Sequence, residues 1–211
     1  MQDKDDNCVR LDTRLAGQVI RYHTWPNVKQ QNIAEHCWQL MRIYLSVVDK
    51  IDPNMIRHIV FHDIGEHFTG DIPYPVKRDN QQLKELVEFM ELKSQAAQLE
   101  YWNAFQQVRL TDADKVLFKQ IELTEMAEFG LDQLAFGNSH GYIIADRCLK
   151  AVHEQKPPPK LAEYIVKRLE IFYEQSRFQL MELLRDWWEP DEWERFYVSK
   201  PEADRWHPLQ E

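Results

Sequence analysis

The chain has 211 residues, with 26 Lys and Arg against 35 Asp and Glu, a formal net charge of −9 with histidine neutral. Affinity for a nucleic acid polymer comes largely from neutralising phosphates with Lys and Arg, so this balance argues against such a partner. It leaves room for a small, locally basic site that takes a small anion. The length suits one domain with a real hydrophobic core, here taken as 1–211.

Hydrophobic residues make up 44% and charged residues 29%, ordinary values for a globular chain, and 6 Gly with 10 Pro leave little material for a many-turned β fold. An all-α fold is expected. No stretch approaches the ~20 consecutive apolar residues of a membrane span. Met1 to Asp6 is acidic where a secretory signal would be basic and then apolar, so a cytoplasmic protein without a membrane partner is expected. Cys8, Cys37 and Cys148 are odd in number and lack CxxC spacing, and they read as reduced and structural.

In chain order, Ile33, Cys37, Leu40, Met41, Tyr44, Leu45 and Val48 recur at three- and four-residue intervals, predicting a helix over 31–49. Asn32 is its cap, and Glu35 stands three residues on, where a carboxylate can reach the cap amide or the positive helix end. Asp52 and Pro53 open a second helix that runs through Met55, Ile56, Ile59, Val60 and Ile64 to a stop at Gly70. Ile72-Pro73-Tyr74-Pro75 then forces an extended loop. A long helix over 80–107 follows, with Leu83, Val87 and Met90 as its inner residues. Another begins near Thr111, with Asp114 three residues beyond the cap, and ends at Gly130. Helices over 139–155 and 160–188 are separated by Pro157-Pro158-Pro159, a stiff connector. No convincing strand alternation and no internal repeat is present.

Four ionisable residues fall where the periodicity wants apolar ones: His36, the pair His62-Asp63, and Glu122, which stands among Leu117, Phe118, Ile121 and Met126. Buried ionisable groups need partners. Two imidazoles and two carboxylates from three helices would satisfy one another around a shared divalent cation, a mixed nitrogen and oxygen set suited to Mn, Fe, Co, Ni or Zn. Glu66 lies four residues from His62 and three from Asp63, on nearly the same side of a helix. A carboxylate there is well placed as a general acid or base.

The ordered elements Asn32-Ile33-Ala34-Glu35-His36, His62-Asp63-Ile64-Gly65-Glu66 and Thr69-Gly70-Asp71-Ile72-Pro73-Tyr74-Pro75-Val76-Lys77 resemble those of the HD-domain phosphohydrolases. Within that superfamily they are most similar to the bacterial 5'-deoxynucleotidases and the phage deoxynucleoside triphosphate hydrolases. The resemblance covers 21–138 and implies a single HD-domain helical bundle, extended at its C-terminal end by the helices and tail of 139–211.

It further implies one divalent ion, Co, Mn, Mg or Zn, held by His36, His62, Asp63 and a carboxylate from the later helix. In the family that last ligand is normally Asp; the matching stretch here, Lys119-Gln120-Ile121-Glu122, ends in Glu, a reach longer by about 1.5 Å, one C–C bond. Glu66 is implied as the proton-exchanging catalytic residue. Arg21 matches the arginine that grips the substrate phosphate, through a fork well suited to it. Tyr22 matches an aromatic position beside the sugar and base, and Trp25 is a further pocket candidate. Asp71 and Lys77 match polar positions on the substrate and phosphate sides, Asp71 counting also as a catalytic candidate. The implied substrate is a (deoxy)nucleotide cleaved at its 5'-phosphate, a deoxynucleoside monophosphate first and a dATP-type triphosphate second, by a homo-oligomer. A non-catalytic nucleotide-binding protein on a degenerate HD fold is the competing expectation, and Glu122 is its support. Trp187, Trp188, Trp193 and Trp206 of the acidic tail read as residues that pack on their own domain.

Overall fold

Asn32 caps the first long helix as its position predicts. Its side chain accepts from the Glu35 amide at 2.8 Å, and the helix runs over Ile33–Val47. The Glu35 carboxylate turns outward to Lys29 instead of back to the cap. This is a computed structural model, and it describes residues 13–73, 80–101 and 110–176. The elements are α1 (Thr13–Ala16), β1 (Ile20–Arg21), β2 (Gln31–Asn32), α2 (Ile33–Val47), α3 (Pro53–Phe61), α4 (Glu66–Thr69), α5 (Gln81–Tyr101), α6 (Asp112–Ala135), α7 (Gly141–Glu154) and α8 (Pro159–Ser176). The fold is thus all-α, with one addition absent from the sequence reading: β1 and β2 pair antiparallel, Ile20 opposite Asn32 and Arg21 opposite Gln31. Two residues per strand are too few to show alternation.

The second predicted helix is broken. Asp52 caps α3 through the Asn54 amide, but α3 ends at Phe61. Beyond it the bonds Ile64 N–H to Phe61 O, Glu66 to Asp63 and Phe68 to Gly65 run three residues back, a tighter winding that carries His62 to Gly65 into α4. Gly65, a poor helix former, lies inside this turn. Gly70 then closes α4 at a φ of 70°, a left-handed geometry suited to glycine.

The capping box of Thr111 and Asp114 forms as expected, with each side chain bonding the other's main chain. The expected stop at Gly130 does not occur: α6 continues to Ala135. The glycine instead permits close approach, since α7 crosses α6 so tightly that a Cβ on Gly141 would lie 2.2 Å from the Gly130 carbonyl oxygen. In α5, Val87 is buried, whereas Met90, expected inside, is exposed.

Leu40, Ile43 and Tyr44 of α2, Met55 and Ile59 of α3, Ile121 and Leu131 of α6, Val152 of α7 and Leu161 of α8 are among the most deeply buried core residues. The Tyr44 hydroxyl accepts from the Asp52 amide at 2.8 Å and so fixes the cap of α3 to α2. Each buried aliphatic or aromatic side chain contributes about 1.5–3 kcal/mol through apolar burial. The chain divides into two compact units, Met1–Lys167 and Arg168–Glu211. All the site residues described below lie in the first. The Trp-bearing tail, Cys8 and Lys77 lie outside the described residues. Cys37 and Cys148 are free thiols, and among the described residues no helix is long and apolar enough to cross a membrane.

Candidate metal centre

His36, on the inner face of α2, is fully buried. Its Nδ1 lies 2.7 Å from Glu125 Oε2. A carboxylate can only accept, so Nδ1 carries the proton and the Nε2 lone pair faces the other way. His62, in the tight turn after α3, has its Nδ1 3.0 Å from the Ile59 carbonyl oxygen, which imposes the same tautomer. The two rings sit 5.5 Å apart between centroids. Asp63 Oδ2 lies 3.8 Å from His36 Nε2 and 3.2 Å from His62 Nε2.

Both Nε2 atoms are buried and form no hydrogen bond of acceptable geometry, although His62 Nε2 is within reach of Asp63 by distance alone. Two lone pairs and a carboxylate oxygen thus converge without a donor between them. Either a proton or a cation must occupy the gap. A ligating atom of Glu122, from α6, lies within 4.8 Å of those of His36 and His62. The donor set is two imidazole nitrogens with carboxylate oxygens, which fits a divalent transition metal or zinc.

The charges are arranged to match. Burial opposes ionisation of Asp63, yet His62, His36 and Arg21 outweigh it and hold its carboxyl well below the usual range. Burial likewise opposes Glu122, and Lys119 at 2.7 Å with His62 brings it below its ordinary value. His62 is raised, burial being overcome by Asp63 and Glu122, whereas His36 is lowered by burial and by Arg21. A proton on His62 is therefore the competitor that a metal would displace.

Arg21, from the hairpin, acts on Asp63 of the centre, and Tyr22 follows it in the chain. Arg21 is buried, its guanidinium 3.6 Å from Glu125 Oε2 and donating to Gln31 Oε1 at 3.3 Å. Tyr22 takes a left-handed φ of 55°, its ring stacked on Phe129 at 4.4 Å and its N–H donating to Asp71 Oδ2 at 2.8 Å. Trp25 packs with Tyr22 against the cluster of Ala127, Phe129, Ile144 and Cys148. Glu66, at the start of α4, is buried. The structure thus brings His36, His62, Asp63 and Glu122 together; it joins Asp71 to Tyr22 and places Trp25 in the aromatic packing.

Sequence reasoning missed Glu125, Gln31 and Gln133. Glu125 is 1% exposed, accepting from Gln31 Nε2 at 2.6 Å as well as from His36. Its signal was present: a third carboxylate one turn from Glu122 on an inner helix face is an anomaly of the same kind as Glu122. Gln133 accepts from the Val28 amide at 2.9 Å and donates to the Lys29 carbonyl at 2.8 Å, binding the hairpin loop to α6. No periodicity marks a glutamine for that task.

A helical domain in which an adjacent His and Asp converge with a His and a Glu from neighbouring helices has the build of an HD-type phosphohydrolase. Over residues 13–120, just over half of its length, the chain matches the model of the family described as 5'-deoxynucleotidase YfbR-like, and it belongs to that hydrolase family. The matched stretch ends two residues before Glu122. No curated protein matches the chain.

Proposed function

We propose that the protein is a metal-dependent 5'-deoxynucleotidase that hydrolyses deoxynucleoside monophosphates. The observation that carries this reading is the pair of buried, donorless Nε2 atoms of His36 and His62 beside Asp63. His36, His62, Asp63 and Glu122 would hold one divalent ion, with Glu122 in the place where the family normally has Asp. Bound there, the ion supplies Lewis acidity to the phosphate and acidifies water at neutral pH.

The chain's own residues divide the remaining work. Arg21 offers its guanidinium to the phosphate charge, and Lys77 is assigned to the same side. Glu66 holds or releases a proton at its carboxylate as the ester oxygen leaves. Asp71 keeps Tyr22 in its left-handed turn, which fixes the direction in which Arg21 enters the pocket. Tyr22 and Trp25 supply the apolar wall on the sugar and base side. Because Arg21 and a bound ion would concentrate positive charge at this one place, a protein of net charge −9 can accept a small anion.

The test is a parallel assay of dAMP and dATP with Mn, Co, Mg and Zn. Release of inorganic phosphate from dAMP supports the proposal, and release of triphosphate from dATP would assign the chain to triphosphohydrolysis instead. Turnover of neither would sink both enzyme readings, and elemental analysis that found no stoichiometric ion would then favour the non-catalytic nucleotide-binding reading, which a bound ion removes. The homo-oligomer implied by the family is checked on the same preparation by light scattering.

A further inference from the structure

Glu125 contacts both halves of the site with a single carboxylate. Oε2 accepts from His36 Nδ1 at 2.7 Å and lies 3.6 Å from Arg21 Nη1; Oε1 accepts from Gln31 Nε2 at 2.6 Å. Gln31 closes the ring by accepting from Arg21 Nη1 at 3.3 Å. All four residues are buried. Arg21 and Gln31 are neighbours across the β1–β2 pair, whereas Glu125 comes from α6, 89 residues from His36 and 94 from Gln31, so nothing in the local chain brings it to them. The contact does two things at once: it dictates which nitrogen of His36 faces Asp63 and His62, and it sets where the Arg21 guanidinium points.

We propose that Glu125 is a positioning residue that couples the imidazole presented to the metal with the guanidinium presented to the substrate phosphate. This rests on the metal-dependent reading above. An acidic group on the far nitrogen of a ligating histidine fixes its orientation and raises its basicity. Here the same oxygen also lies beside the arginine, so an error at Glu125 is transmitted to both sides. Gln31 is the second link, acting on Arg21 without touching His36. A buried ion pair that served stability alone would also need its remaining lone pairs satisfied, so the Gln31 bridge suits either role; what points to positioning is that the oxygen on His36 Nδ1 is the one that lies beside Arg21.

The experiment titrates Mn(II), and then inorganic phosphate into the Mn-saturated protein, by calorimetry on the full chain. Glu125→Gln keeps the shape but offers one acceptor oxygen in place of two. It is expected to weaken Mn(II) binding by about 10- to 100-fold and phosphate binding by about tenfold. In an Arg21→Ala background the phosphate effect of Glu125→Gln should vanish while the Mn(II) effect persists. Gln31→Met, which spares the His36 contact, should weaken phosphate binding and leave Mn(II) binding within about twofold, inside the error of additivity. It also keeps the test open if Glu125→Gln fails to fold. A purely structural Glu125 would lower the unfolding temperature and leave both affinities unchanged, and that result overturns the proposal, as do additive phosphate effects. Wild-type protein that binds no Mn(II) overturns the metal reading and this proposal with it; wild-type binding with unaltered variants overturns this proposal alone.

Discussion

The main-chain N–H of Tyr22 donates to Asp71 Oδ2 at 2.8 Å, joining the hairpin to the loop after α4 across 49 residues of sequence. Tyr22 holds a left-handed φ of 55°, a conformation that a bulky residue keeps only when its surroundings enforce it. Asp71→Ala leaves that donor without its acceptor, and stability should fall by about 1–3 kcal/mol. Asp71→Asn retains an acceptor oxygen and should lie nearer the wild type. Chemical denaturation of the three proteins decides this; equal losses for Ala and Asn would show that the bond is not what Asp71 contributes.

Asp63→Ala removes the oxygen between the two Nε2 atoms. Elemental analysis should find the stoichiometric metal lost and turnover gone, with helical content by circular dichroism near wild type. Activity that survived this change would mean that the reacting centre lies elsewhere.

Lys119 pairs with Glu122 at 2.7 Å from an exposed position and thereby competes for a carboxylate that the ion would use. Lys119→Met should tighten Mn(II) binding, by up to about fivefold, because an exposed ion pair is worth at most about 1 kcal/mol. Weaker binding in the variant would show instead that Lys119 orients Glu122.

The contact between α6 and α7 leaves no room for side chains at two glycines. A Cβ on Gly141 would lie 2.2 Å from the Gly130 carbonyl oxygen, and one on Gly130 would lie 2.7 Å from the Gly141 carbonyl oxygen and the Ala145 nitrogen. These obstacles are backbone atoms, which cannot swing aside. Gly141→Ala is expected to destabilise by about 3 kcal/mol, the upper end for overpacking, with Gly130→Ala close behind. Gly137 has open space at its Cβ but a φ of 83°, so Gly137→Ala should cost about 1 kcal/mol in backbone strain alone. Thermal unfolding ranks the three.

His58 packs edge-on against Phe118 at 4.4 Å, with His62 nearby. Burial and then the neighbouring His62 push it down to about 4 from 6.5, against the opposing pull of Glu122 and Asp63. Between those values the unfolded chain binds a proton that the native chain refuses. Stability of the metal-free protein should therefore be complete, as far as this residue is concerned, above pH 6.5 and decline as the pH falls toward 4. His58→Gln should flatten that part of the profile. Identical slopes for the two proteins would remove His58 as its source.

The residues of the candidate centre were legible because each interrupts an apolar pattern: His36, the His62-Asp63 pair and Glu122 are ionisable residues at inward positions. The caps at Asn32, Asp52 and Thr111 were legible for a local reason, since cap and first turn are neighbours in sequence. What escaped was settled at a distance. Gly130 has the form of a helix stop, and only the crossing of α7 reveals it as a point of close approach. The tightening at His62 to Gly65 has Gly65 as its one local sign, and a single glycine weakens a helix without fixing where it breaks. Glu125 escaped because its partners Arg21, Gln31 and His36 lie about ninety residues or more away, beyond the reach of any periodic argument.

On α6, Glu122 faces His36 and His62 of the candidate metal centre, Glu125 the Arg21–His36 ring, Phe129 the Tyr22 ring and Gln133 the hairpin loop. Their spacings of three, four and four residues keep them on one stripe about 16 Å long, at 1.5 Å per residue. The helix thereby acts as a ruler, and a ruler tolerates changes of marking better than changes of length. Inserting one residue between Glu122 and Gln133 would rotate everything beyond it by about 100° and take the later contacts off the stripe. Homologues should therefore vary freely on the outer side of this helix while keeping its residue count fixed, and alanine insertion scanning along α6 would show where that constraint begins and ends.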